Sequence, residues 1–309
     1  MTVVARFLVL VLGWSCLVGA GLAVADVDLT SLAGTLVLAL VLMPSPFVAA
    51  VVAEGGLRRE RLALPRRGAR SVLVYVLAPG VVVVASLALL VGLVAIGSHL
   101  LGPGPPLGAV ATSGEQLVAS ATAALGGAAV EAAGYPPPLP VLLVAAVAGA
   151  VVAGWTVNGL VALGEEHGWR GLLWERWRHL GVVRANVLIG VVWGLWHAPV
   201  VVQGYNYPGA PALGVLGMVV FCTGASTALT ALRELTGSVL PAAAAHGVLN
   251  GLAPLLLLLL PGASPVLSGP VGVLSAGAFA AVGAVLWWRV RGRASIGDPR
   301  ERSRATPEA

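Results

Sequence analysis

Three short stretches of this chain set ionisable or amide side chains in otherwise apolar surroundings. The first is Gly164-Glu165-Glu166-His167-Gly168-Trp169-Arg170, directly after an apolar run that ends at Leu163. The second is Trp193-Gly194-Leu195-Trp196-His197-Ala198-Pro199, and the third is His246-Gly247-Val248-Leu249-Asn250. Helical spacing assigns them different chemistry. Glu166 and Arg170 stand four apart with the acid first, the favourable order for an ion pair, so Glu166 is read as neutralised on its own helix. Glu165 is turned by about 100° from Glu166 and shares its face with Trp169, which leaves it without a charged partner within its own turn. A carboxylate so placed is a candidate general base. His246 and Asn250 are also four apart, so an imidazole and an amide project side by side. They are able to polarise a carbonyl and hold an oxyanion, or simply to hydrogen-bond across helices. Trp193 and His197 repeat the spacing, for which aromatic packing is the default. His99 and His179 sit near the ends of apolar runs, and His167 points about 200° around the helix from Glu165, so these three are set aside.

The elements that must position these groups follow from composition. Of 309 residues 58% are apolar and 10% charged, with a mean hydropathy of +0.94, far from the ~25% charged residues of soluble domains. An all-α, polytopic membrane protein is expected, with an intramembrane polar cavity around the three stretches. Runs long enough to cross a bilayer, about 20 residues each, lie at roughly 4–25, 30–53, 71–98, 139–163, 185–202, 211–231, 238–260 and 268–290. That makes eight spans. The 18 basic residues are all Arg, and the pI is near 10.0. They cluster between apolar runs, where they set orientation rather than bind nucleic acid. Cys16 and Cys222 lie far apart within apolar runs and build neither a disulfide framework nor a thiolate metal site.

The connection from Glu54 to Arg70 carries Arg58, Arg59, Arg61, Arg66, Arg67 and Arg70, whereas that from His99 to Pro140 carries Glu115 and Glu131 and no Arg. The positive-inside rule puts the first in the cytoplasm and the second outside. Arg176, Arg178, Arg184, Arg233, Arg289, Arg291 and Arg293 then fall inside, with both termini, in a bacterial cytoplasmic membrane. Ala23-Val24-Ala25 after an apolar run resembles a signal-peptide cleavage site, but the run is longer than a usual signal core and is read as a span. Four regions result: 1–138, three spans and an outer loop holding an interfacial helix near 115–131 or a plain linker; 139–262, a core with the three stretches; 263–293, the last span; and 294–309, a tail without apolar content, expected to be disordered.

Depth brings the stretches together. At 1.5 Å per residue His197 lies about 18 Å from the Ala185 end of its run and His246 about 12 Å from Ser238. Glu165 reaches a similar depth, about 20 Å, only if the fourth helix continues to roughly Arg178. Trp169, Leu172, Leu173, Trp174 and Trp177 supply an apolar face for that extension, with a break expected near Gly159 or Gly164.

In this order and on separate spans, the stretches resemble the CPBP family, the CAAX protease and bacteriocin-processing enzymes that include the type 2 CAAX prenyl proteases. That family carries Glu-Glu-x-x-x-Arg, Phe-x-x-x-His and His-x-x-x-Asn, matched here by Glu165-Glu166-His167-Gly168-Trp169-Arg170, Trp193-Gly194-Leu195-Trp196-His197 and His246-Gly247-Val248-Leu249-Asn250. The resemblance covers about 139–262, and Trp193 stands where the family usually has Phe. It implies an intramembrane endopeptidase in which Glu165 is the base, His197 helps hold the water, His246 and Asn250 form the oxyanion hole, and Glu166, Arg170 and Trp193 give support. A mechanism without a metal is the reading taken, because no His-Glu-x-x-His helix is present and Asn is an unusual ligand. The alternative is Zn²⁺ held by Glu165, His197 and His246, with water in the fourth position. The implied partners are the lipid bilayer and a protein or peptide substrate, with no nucleic acid. Competing readings are a non-catalytic scaffold or bacteriocin-immunity protein on the same fold, and a proton-coupled transporter, which would call for inverted repeats that are not evident.

Overall fold

The computed structural model describes residues 1–65, 68–133 and 137–297, and the described residues form helices without strands. The chain is a multi-pass membrane protein. Helix α1 (Val3–Val24) starts at Thr2, whose side chain accepts a hydrogen bond from the Ala5 N–H, a standard answer to the unpaired first turn. Helix α2 (Leu32–Val37), capped in the same way by Ser31, runs through a π-helical turn (Leu38–Leu42) towards α3 (Ser45–Glu54). Gly55 ends α3 with φ of 72°, where a side chain would be strained. Helix α4 (Ala69–Leu101) is followed by two short helices, α5 (Gly114–Leu125) and α6 (Gly127–Ala133). Of the two readings of that loop, the helical one therefore holds, and α5 rests against α12.

Helix α7 (Leu139–Gly154) and α8 (Val157–Glu166) meet at a break, and α8 continues through a π-helical segment (His167–Leu173) into α9 (Trp174–Trp177). Next come α10 (Val182–Val201), α11 (Pro211–Thr236), α12 (Leu240–Leu259) and α13 (Val273–Gly297). The continuation beyond Arg170 expected from the Trp-rich face is thus present. The last helix, however, runs past Arg293 to Gly297, so residues 294–297 are helical where disorder was expected. Arg66, Arg67 and the rest of the expected tail, 298–309, lie outside the described residues.

Among the described residues six helices are long and apolar enough to cross a membrane, and Leu139–Gly154 with Val157–Leu180, bent by 54°, makes up to seven. The expected count was eight. The eighth, α10, has the length but carries Arg184, Asn186, His197 and Pro199, which dilute its apolar content.

The break falls at Trp155 and Thr156, one turn before Gly159, where a Cβ would collide with the Gly154 carbonyl across the break. Nearby glycines admit neighbouring helices. A Cβ on Gly154 would stand 2.7 Å from the Ala244 carbonyl oxygen, and one on Gly247 would stand 2.6 Å from the Gly159 nitrogen. Gly164 likewise makes room for the Met43 carbonyl. Backbone therefore meets backbone where α8 crosses α12, and Asn158 Nδ2 donates to the Gly247 carbonyl across the crossing (3.2 Å). This close approach carries the helix bearing His246 up against the helix bearing Glu165 and Glu166.

Candidate functional site

Glu165 lies in the last turn of α8 and is buried, and its Oε2 receives two indole N–H groups, from Trp193 at 2.6 Å and from Trp169 one turn on at 3.4 Å. Its Oε1 bonds to no protein group among the described residues. One oxygen is anchored and the other is available. Glu166 is also buried, and its Oε1 takes Arg170 Nη1 at 2.9 Å and His246 Nδ1 at 2.9 Å. Arg170 has no exposed surface; its Nη2 donates to Ser226 Oγ of α11 (3.1 Å), and its guanidinium lies 4.3 Å from the centre of the Trp193 ring. A cation over an indole face is favourable, more so when both are desolvated.

Trp193 is thus the hub of the cluster. Its ring centre is 5.4 Å from that of His246 and 6.1 Å from that of His197. The His197 Nδ1 lies 2.9 Å from the Trp193 carbonyl oxygen, one turn back on α10. A carbonyl only accepts, so Nδ1 carries the hydrogen and Nε2 of a neutral ring presents a lone pair. Both histidines are close enough to Glu165 to interact with its charge.

The sequence-derived groups Glu165, Glu166, Arg170, Trp193, His197 and His246 therefore meet at one place. The pair Glu166 and Arg170 is formed as the spacing indicated, although it is joined by His246, a contact that no local spacing announces. Trp193 was read as an aromatic wall and is also a hydrogen-bond donor. Asn250 departs from the expected pairing: it is exposed one turn beyond His246, with no hydrogen bond among the described residues. His167 is buried against Phe47, ring centres 4.5 Å apart, and neither of its nitrogens has a hydrogen-bond partner among the described residues. Tyr205, four residues past the end of α10, interacts with the charge of Glu165 and was not singled out from sequence, because it lies beyond the helix whose spacing placed Trp193 and His197.

Two features bear on the expected cavity and metal. Trp169 and Trp193, both buried, donate to Glu165, and Trp196 is buried against Trp169. Two pockets lie away from Glu165, one beside Thr2 and Trp177 and one between Glu54 and Glu175. Among the described residues no group of three or more His, Cys, Asp or Glu side chains is arranged to hold a metal ion. Of the three residues named for Zn²⁺, Glu165 Oε2 and the Nδ1 atoms of His197 and His246 are engaged within the protein, and Glu165 Oε1 and the two Nε2 atoms are not. No step below is routed through a metal.

Residues 147–252 match the family model described as type II CAAX prenyl endopeptidase Rce1-like. The matched segment contains all three polar stretches, from Glu165 to Asn250. No curated protein and no solved structure matched the chain.

Proposed function

From a segment, residues 147–252, that belongs to a CAAX protease-like family, we propose that this protein is an intramembrane endopeptidase that hydrolyses a peptide bond of a membrane-associated protein or peptide. The observation that carries the reading is the half-anchored carboxylate of Glu165: two indoles on Oε2, none on Oε1, with His197 and His246 packed around the Trp193 ring that anchors it.

The proposed chemistry uses these groups in turn. Glu165 takes a proton from water through Oε1, while the Nε2 lone pair of His197 holds the same water by accepting its second hydrogen. The water oxygen bonds to the scissile carbonyl carbon, and the carbonyl π electrons move to oxygen. Protonated on both nitrogens, His246 would donate Nδ1–H to Glu166 and keep Nε2–H for that oxyanion, with the Asn250 amide as second donor. The oxyanion's electrons then re-form the carbonyl as the C–N bond breaks, and Glu165 returns its proton to the leaving amine nitrogen. Arg170 holds Glu166, and through it the orientation of His246.

The proposal extends to topology. Counting α10 as a crossing gives eight spans with both termini in the cytoplasm of a bacterial inner membrane, the arrangement that the Arg distribution supports.

The test is detergent-purified protein incubated with a peptide library and read by mass spectrometry. Wild type should give defined cleavage products. Glu165→Gln should give none while keeping the wild-type helical content and melting behaviour. Wild-type turnover by the folded Glu165→Gln variant would remove the assignment of the base.

A further inference from the structure

The arginines between α3 and α4 look like topology signals alone, and Arg58, Arg59 and Arg70 are exposed as that role requires. Arg61 is not: it is 1% exposed. Its guanidinium grips Glu54 with two parallel hydrogen bonds, Nη1 to Oε2 at 2.6 Å and Nη2 to Oε1 at 2.9 Å. On its other edge, Nε and Nη2 donate to Glu175 Oε2 at 3.0 and 2.7 Å. Its main-chain carbonyl accepts the Val239 N–H (2.9 Å), one of the unpaired donors at the start of α12, and the Ser238 hydroxyl (3.4 Å). Tyr75 closes the arrangement, since its hydroxyl donates to the Ala63 carbonyl (3.0 Å) and lies 3.2 Å from Ser238 Oγ. Gly171 leaves space for the Arg61 stem, because a Cβ there would stand 2.9 Å from Cδ.

One residue therefore ties three elements together. Glu54 ends α3, Glu175 sits on α9 in the continuation of the helix that carries Glu165 and Glu166, and Val239 opens the helix that carries His246. Glu175 is about 14 Å along its helix from Glu166, and Val239 about 10 Å along its own from His246. The Arg61 cluster and the Glu166–His246 hydrogen bond are thus two rungs between the same pair of helices. Burial acts to lower the Arg61 pKa, but the hydrogen bonds and charges of Glu54 and Glu175 outweigh it, so the net shift is upward and the cation persists. Buried ion pairs add little net stability compared with apolar packing, yet they fix one arrangement against alternatives, because removing a single partner strands a charge.

We propose that Arg61 is a positioning residue, which sets the register of α12 against the Glu165-bearing helix and thereby holds His246 on Glu166. The consequence is that residues outside the matched segment 147–252 complete the site within it. Only the effect on rate rests on the peptidase reading; the effect on geometry does not.

The test uses full-length protein labelled with ¹⁵N-histidine, whose five histidines give few imidazole signals, with His246 assigned from a His246→Gln spectrum. Arg61→Gln should move the His246 signal and leave those of the exposed His99 and His179 in place, with wild-type helical content. Glu175→Gln, which removes one arm only, should move the same signal less. In the cleavage assay kcat should fall roughly 10-fold, within the ~10²-fold that a misplacement of about 1 Å costs, at unchanged KM. An unmoved His246 signal in a folded Arg61→Gln variant would overturn the proposal, as would failure of both variants to fold, which would make Arg61 a requirement of the whole fold. A wild type that cleaves nothing would sink the peptidase reading and leave the spectral result standing.

Discussion

Replacing Trp193 with Phe isolates one hydrogen bond. The substitution keeps an aromatic ring beneath Arg170 and beside His246 but removes the indole N–H that reaches Glu165 Oε2 at 2.6 Å. Trp169 is no substitute at 3.4 Å, beyond the usual 2.7–3.2 Å range for N–H···O bonds. A hydrogen bond to a charged group contributes about 1.5–3 kcal/mol, which corresponds to ~10–150-fold in an equilibrium or a rate. Folding stability should fall by about that amount, plus a smaller loss because Phe attracts the guanidinium less than Trp does. Against a Glu165→Gln background the same substitution should cost less, since an amide oxygen is the weaker acceptor, leaving a coupling of about 1 kcal/mol in a double-mutant cycle. The indole N–H does not reach substrate, so kcat should drop about 10-fold with KM unchanged, as expected for a base that has lost its orientation. Denaturant titration of the four proteins and steady-state kinetics of Trp193→Phe are the assays. Additive stabilities, or a Trp193→Phe enzyme with wild-type kcat, would refute the anchoring role and return Trp193 to aromatic packing.

Two further outcomes are expected. Asn250→Ala should leave the fold intact, because the residue is exposed and bonded to no described group, yet lower single-turnover cleavage by roughly 10²–10³ at constant substrate affinity; wild-type cleavage would leave His246 without its amide partner. Cysteines placed at the exposed positions Arg59 and Glu115 should react with impermeant maleimide from opposite sides of the membrane in intact cells and inverted vesicles, and labelling of both from one side would overturn the eight-span orientation.

How much of this was legible depends on whether the cause was local. The Glu166–Arg170 pair was, because four residues of one helix bring two side chains together whatever surrounds them, and the 2.9 Å contact follows. The helix beyond Arg170 was legible for the same reason, as its apolar face repeats along the chain. Contacts between helices were not. That His246 turns to Glu166, and that the Trp193 indole reaches Glu165, depends on the register of α12 and α10 against α8. That register is set by Gly154, Gly159 and Gly247, which present bare backbone at a crossing. A glycine in a sequence reads equally as a break or as a close approach. Here Gly159 proves to be part of the break, since its missing Cβ leaves room for the Gly154 carbonyl beside the bend at Trp155 and Thr156, whereas Gly164 is an approach to Met43.

Arg61 makes the same point through charge. Counted by sign it is one more arginine of an orienting loop. Its burial requires an acid at the end of α3, another on α9 and a glycine at 171, three positions with no common spacing. A topogenic arginine needs only water, whereas a buried one needs partners for nearly every N–H. Arg61 therefore couples the first helices to the site through geometry that only the assembled bundle provides. The coupling crosses the boundary of the matched segment: Glu175 and Val239 lie inside residues 147–252, and the guanidinium and carbonyl that join them lie outside.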